Sequence, residues 1–168
     1  MIHALQMLVL LVFPALVITG GLKDITSYTI PNWIPLSLLA AFPVAALVVG
    51  LPLSTIGWQL AVGAAALVVG MAMYAAGWIG GGDAKLFAAA GLWLSWPAAL
   101  TYAAFTAIAG GALAVTLLAL RSAPVRPFVP NRPAWFARLT EPGENVPYGV
   151  AIAIGALIAF PACRLLTG

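Results

Sequence analysis

Four acidic residues occur in 168, and two of them, Asp24 and Asp83, adjoin long apolar runs. An ionisable group beside hydrocarbon is costly, and by default it marks function. Asp83 follows three glycines in Trp78-Ile79-Gly80-Gly81-Gly82-Asp83-Ala84-Lys85-Leu86. Residues without a Cβ let the backbone bend and let another chain lie close against it, so Gly80, Gly81 and Gly82 suit a site that accepts a peptide backbone. The plainer reading is a helix cap, with Asp83 accepting backbone N–H bonds where the helix Ala84-Lys85-Leu86 begins. Asp24, taken alone, reads as an interfacial charge beside Lys23.

Brought together, two carboxylates support a specific chemistry. At ~4 Å and an effective dielectric near 20 they repel by roughly 4 kcal/mol, equivalent to about three pKa units. One then keeps a proton at neutral pH unless a lysine comes equally near. The ionised acid can take a proton from a water between them while the protonated one polarises a carbonyl. Lys23 and Lys85 neighbour these acids in sequence. Both read as anchors of span ends at the headgroups, with tuning of the pair as a second role for Lys85. The chemistry needs no cofactor. The one cysteine, Cys163, forms neither an internal disulfide nor a zinc-binding cluster, so no metal site is expected.

The elements that must position the acids are membrane helices. Hydrophobic residues make up 64% of the chain and charged residues 7%, and mean hydropathy is +1.10, which excludes an ordinary soluble domain. At ~20 residues per crossing, the chain has room for about six spans. We expect an all-α polytopic protein with a single transmembrane domain over 1–168. The net charge of +3 comes from seven Lys and Arg spread over several loops, so it reports orientation and not nucleic acid binding.

Apolar runs predict spans at about 4–22, 34–51, 56–78, 84–94, 98–120 and 148–166. Thr19-Gly20-Gly21 mimics a signal-peptide cleavage site, but no basic region precedes the run, so the first span is read as retained. Residues 25–29 are polar and β-branched and need not be helical. Ile30-Pro31-Asn32 opens the second span. Glycines and alanines in the third, Gly63 and Gly70 among them, suit close helix contact. The fourth run covers only ~16 Å. Either its helix extends through Trp96 and up through the glycines, or the glycine loop dips into the bilayer, buried in protein. Residues 121–147 hold Arg121, Arg126, Arg132, Arg138, Glu141, Glu144 and six prolines. They read as a solvated, extended linker, with Ala134–Leu139 along the membrane surface as the alternative.

Alternating sides puts Lys23, Lys85 and the four arginines of 121–147 on one face, which the positive-inside rule makes cytoplasmic. Arg164 lies opposite, and both termini are extracytoplasmic. Two crossings separate Asp24 from Asp83, so both acids return to one membrane depth.

Asp24, then Ile30-Pro31-Asn32, then Gly80 to Leu86, then Val146-Pro147-Tyr148-Gly149 opening the last span together resemble the type IV prepilin peptidases, intramembrane aspartic proteases of the Gly-x-Gly-Asp kind. The resemblance implies a multi-pass protein of the bacterial inner membrane. It would cut prepilin or pseudopilin precursors at the cytoplasmic face, just after their short basic leader and before their hydrophobic segment. It also implies that Asp24 and Asp83 are the catalytic pair, that Gly80, Gly81 and Gly82 form a flexible approach to the second acid, and that Pro147, Tyr148 and Gly149 stand near the dyad. The small size resembles the minimal peptidases of tight-adherence (Flp-type) pili. Larger relatives carry a cysteine-rich zinc domain and methylate the new N-terminus; this chain lacks those cysteines, and methylation is not expected. The partners implied are prepilin-type proteins and membrane lipid. Glu141 and Glu144 occupy a Pro-Gly turn, where acids are ordinarily solvated; contact with the basic leader is the alternative. A small proton-coupled carrier or channel subunit, a presenilin-type protease and a structural membrane partner are the competing readings. Acids at span ends, and the absence of the presenilin Tyr-Asp and Pro-Ala-Leu patterns, weigh against the first two.

Overall fold

Long apolar segments without water must satisfy their backbone internally, which favours helices throughout. The computed structural model describes residues 2–125 and 133–167. The described elements are α1 (Ile2–Ser27), α2 (Trp33–Val49), α3 (Leu53–Ala75), α4 (Gly81–Trp93), α5 (Ala98–Arg121), α6 (Ala134–Leu139), α7 (Tyr148–Ala159), a 3₁₀ turn (Phe160–Ala162) and α8 (Arg164–Thr167). No strand occurs among the described residues, so the protein is all-α. Three stretches, Leu5–Ser27, Leu53–Ala75 and Ala98–Arg121, are long and apolar enough to cross a membrane, and Trp33–Val49 and Tyr148–Ala162 are shorter apolar helices. Large aliphatic side chains such as Leu8, Leu47, Val68 and Leu118 point outward, as lipid requires.

Several boundaries differ from the sequence expectation. α1 continues through the polar residues 25–27, because Thr26 and Ser27 turn their hydroxyls back onto the carbonyls of Leu22 (2.6 Å) and Lys23 (2.7 Å). It stops at Tyr28, which takes the left-handed conformation (φ 54°) that often closes a helix. α4 does extend up through Gly81 and Gly82 but not down through Trp96. The last span is not continuous to 166: Pro161 lies in the 3₁₀ turn between α7 and α8. Within 121–147, residues 134–139 form a helix with Leu139 buried, where a solvated linker was expected; Arg126 and Arg132 lie outside the described residues.

Small residues set the packing. α3 lies on α4, where a Cβ at Gly70 would meet Ala84 Cα at 3.2 Å and one at Gly63 would meet Leu92 Cα at 3.3 Å. α1 lies on α7 through Gly21, 3.3 Å by the same measure from the Gly149 carbonyl oxygen. α5 and α7 meet at Gly155, where a Cβ would stand 2.8 Å from both the Tyr102 carbonyl and the Thr106 nitrogen. Gly20, against Leu86 and Ile34, and Gly21 are therefore helix-packing surface. Away from the acids the core is aromatic, with Phe13 stacked on Phe160 (4.5 Å between centroids) and tilted against Trp93 (5.3 Å).

α4 is short, about 20 Å at 1.5 Å per residue, and ends in the core, where free carbonyls are costly. Gln59, fully buried on α3, donates to the Trp93 carbonyl (3.3 Å), and the Trp93 indole donates to the Leu38 carbonyl (3.0 Å). These bonds hold the far end of α4, which fixes the height of its first turn. The α5–α7 contact predicts that Gly155→Ala destabilises the protein by about 1–3 kcal/mol. Gly111→Ala, with open space around it, changes little; thermal unfolding in detergent measures both.

Candidate active site

One end of the bundle gathers the last turn of α1, the first turn of α4, the end of α5 and the start of α7. Asp24, on α1, is buried at 5% exposure. The Gly149 backbone N–H donates to its Oδ2 at 2.7 Å, across 125 residues of sequence. Pro147 is the N-cap of α7, where no intrahelical bond needs its missing N–H. Gly149 is then the second residue of the helix, with its N–H free to be used. A Cβ at Gly149 would lie 2.8 Å from Asp24 Cβ and 2.9 Å from Ile30 Cδ1, so the carboxylate can approach only a glycine. Tyr148 lays its ring on Gly110 of α5. Sequence reasoning placed Pro147-Tyr148-Gly149 near the acids without a task; this is the task the geometry gives it.

Asp83 is the third residue of α4 and 6% exposed. Its Oδ2 accepts the Gly80 N–H at 3.0 Å, so the cap reading is correct as far as it goes. Oδ1 is buried and has no hydrogen bond. Asp24 and Asp83 line one cleft of about 360 Å³, and the charge of Asp24 is felt at Asp83. The structure thus brings the two predicted acids together. Gly80, Gly81 and Gly82 are not a loop: Gly80 is the N-cap and the other two are helical. Their smallness serves close approach, since a Cβ at Gly82 would stand 3.1 Å from Ile30 Cβ and one at Gly81 3.5 Å from the Tyr74 ring. Residues 77–80 form one wall of the cleft, and the positive φ among these glycines belongs to Gly77 (75°).

Lys85 does not join the acids. Two residues beyond Asp83 it faces away, and its Nζ donates to Asn32 Oδ1 at 2.9 Å. Both residues line a separate, mostly apolar groove of about 500 Å³ between α2, α3 and α4. Asn32 of Ile-Pro-Asn therefore tethers the start of α2 to α4. Lys23 is exposed on α1.

Two features escaped sequence reasoning. Arg121, at the end of α5, donates to three carbonyls of the returning loop: Leu139 (2.9 Å), Glu144 (2.7 Å) and Asn145 (3.0 Å). It thereby holds residues 144 and 145, which line the cleft. Tyr28 lines the same cleft, with the Arg138 guanidinium 4.7 Å above its ring. Burial raises the Tyr28 phenol above its ordinary pKa, with Arg121 pulling the other way, so it stays a neutral donor near pH 7. The available signal was the scarcity of charge: in so apolar a chain each arginine flanking a span needed a named partner.

A model described as the type IV leader peptidase family matches residues 11–115, which include both acids, Ile30-Pro31-Asn32 and the glycine run. No curated protein and no solved structure matches the chain.

The shared cleft predicts a cross-link. In a Cys163→Ala background, Asp24→Cys with Asp83→Cys is joined by a short bifunctional thiol-reactive cross-linker such as a bis-maleimide, read by mass spectrometry, whereas Asp24→Cys with Lys85→Cys is not. Equal yields in the two pairs contradict the arrangement.

Proposed function

The chain belongs to the type IV leader peptidase family, which makes it a membrane peptidase, and from that premise we propose that it is an aspartic endopeptidase whose dyad is Asp24 and Asp83. The observation that carries the reading is their meeting in one cleft, each held there by a backbone N–H, Gly149 for Asp24 and Gly80 for Asp83.

In the proposed reaction the dyad holds one proton. The ionised carboxylate takes a proton from a water as its oxygen attacks the scissile carbonyl carbon, and the protonated carboxyl gives its proton to the carbonyl oxygen. The resulting gem-diol collapses. One hydroxyl proton returns to the ionised acid, the other acid protonates the nitrogen, and the C–N bond breaks. A carboxylic acid and an amine leave, and the dyad again holds one proton. The Gly149 N–H fixes Asp24 in position, the Gly80 N–H fixes Asp83, and the free Oδ1 of Asp83 is left to meet water or substrate.

The substrate proposed is a prepilin-type precursor, cut between its basic leader and its apolar segment at the cytoplasmic face of the inner membrane. We take the chain to cross six times with both termini outside. One observation, read with the positive-inside rule, supports this orientation. The acids sit at the bundle end where Arg121 and Arg138 also stand, and cytoplasmic loops are the ones enriched in Lys and Arg. A substrate anchored by its own apolar helix presents its scissile bond at that surface, so no deep water channel is needed.

Asp24→Asn and Asp83→Asn should each lower cleavage of a co-expressed prepilin by about 10²–10⁴-fold while still inserting in the membrane, read as a mobility shift on a gel. Substantial processing by either variant removes the dyad. Gly149→Ala, which displaces Asp24 without altering an acid, should cost about 10²-fold. Cysteine labelling should find positions near 25 and 83 accessible from the cytoplasm.

A further inference from the structure

The charge of the cleft is lopsided. Three of the chain's four acids, Asp24, Asp83 and Glu144, line it, and no lysine or arginine does so among the described residues. Asp83 is more than nine-tenths buried and keeps one oxygen without a hydrogen bond there. A concavity of one sign attracts and orients groups of the other. The ligand complementary to this one is a cation.

Glu144 is built into place. Glu141-Pro142-Gly143-Glu144 is a tight turn closed by the Glu144 N–H on the Glu141 carbonyl (3.4 Å), with Gly143 at φ 88°, the conformation a type II turn requires of its third residue. Arg121 grips the Glu144 carbonyl from the other side. The backbone is thus held twice, and the carboxylate is set beside the paired aspartates. Its partner is Arg138, whose Nε lies 3.2 Å from Oε1. That pair is open to solvent, with the arginine side chain 50% and the glutamate side chain 29% exposed. Exposed ion pairs of this kind contribute little and exchange readily.

We propose that Glu144 is the subsite for a basic side chain of the leader peptide, and that Arg138 occupies it as an internal surrogate which the substrate's own Lys or Arg displaces. This rests on the peptidase reading above and adds to it the residue that reads the charge of the leader. Arg138 does not leave the site when displaced. It already lies over the Tyr28 ring, a face that holds a guanidinium by cation–π attraction, so the exchange needs only a rotation of its side chain.

The test uses the full-length protein in detergent and two peptides. One has a lysine-containing leader ahead of an apolar segment; its twin has each leader lysine replaced by glutamine. Glu144→Gln should raise KM for the lysine peptide about threefold to tenfold, leave kcat near the wild-type value, and leave KM for the glutamine twin unchanged. Arg138→Gln should lower KM for the lysine peptide. Glu144→Lys should recover cleavage of a third peptide whose leader carries glutamate. An equal loss on both twins makes Glu144 merely structural and overturns the subsite, as does no loss on either. An unchanged KM in Arg138→Gln overturns the surrogate. If the wild type cuts none of the peptides, the peptidase reading falls and the subsite with it, and that failure is visible before any variant is compared.

Discussion

The bond from the Gly149 N–H to Asp24 is the constraint on which the rest of this architecture turns. A carboxylate inside an apolar bundle must find donors, and only the first turn of a helix offers backbone N–H groups that its own ladder does not use. The last helix of the chain therefore has to begin at the height where the first helix carries its acid. Everything nearby serves that registration. Gly21 lets α1 and α7 touch, Gly155 and Gly110 let α5 support α7 from behind, and Pro147 fixes where α7 starts. The same solution appears on α4, whose Asp83 takes the Gly80 N–H. Each acid is held by a helix start, one in its own helix and one across the bundle.

What was legible beforehand follows from which forces are local. Apolar run length and the counting of crossings placed Asp24 and Asp83 at one depth, because the cost of leaving the bilayer leaves a chain this greasy few alternatives. Glycines 63 and 70 could be read as contact residues for the same reason. Boundaries were less legible where side chains substitute for water. Thr26 and Ser27 look like loop residues until their hydroxyls fold back on the helix that carries them. Gly81 and Gly82 look like a hinge until Ile30 is packed against one and Tyr74 against the other.

Side-chain partners across the bundle were the least legible. Nothing in the neighbourhood of Lys85 says that it will choose Asn32, 53 residues away, over an aspartate two positions off. Helical geometry decides it, since residues two apart on a helix face different ways. Glu144 was harder still. Its turn residues announce a solvated loop, and the loop is indeed at the surface, but the end of α5 draws it over the cleft.

That end of α5 has a consequence for how the protein tolerates change. Three carbonyls converge on Arg121, and they match the planar, several-armed donor that arginine presents; an ammonium on a flexible stem has the charge without the geometry. A nominally conservative exchange at this position would leave the charge tally, the membrane topology and both aspartates intact, yet release the segment that lines their cleft. Vulnerability in this small protein is thus located by the shape of a donor group and not by nearness to the chemistry.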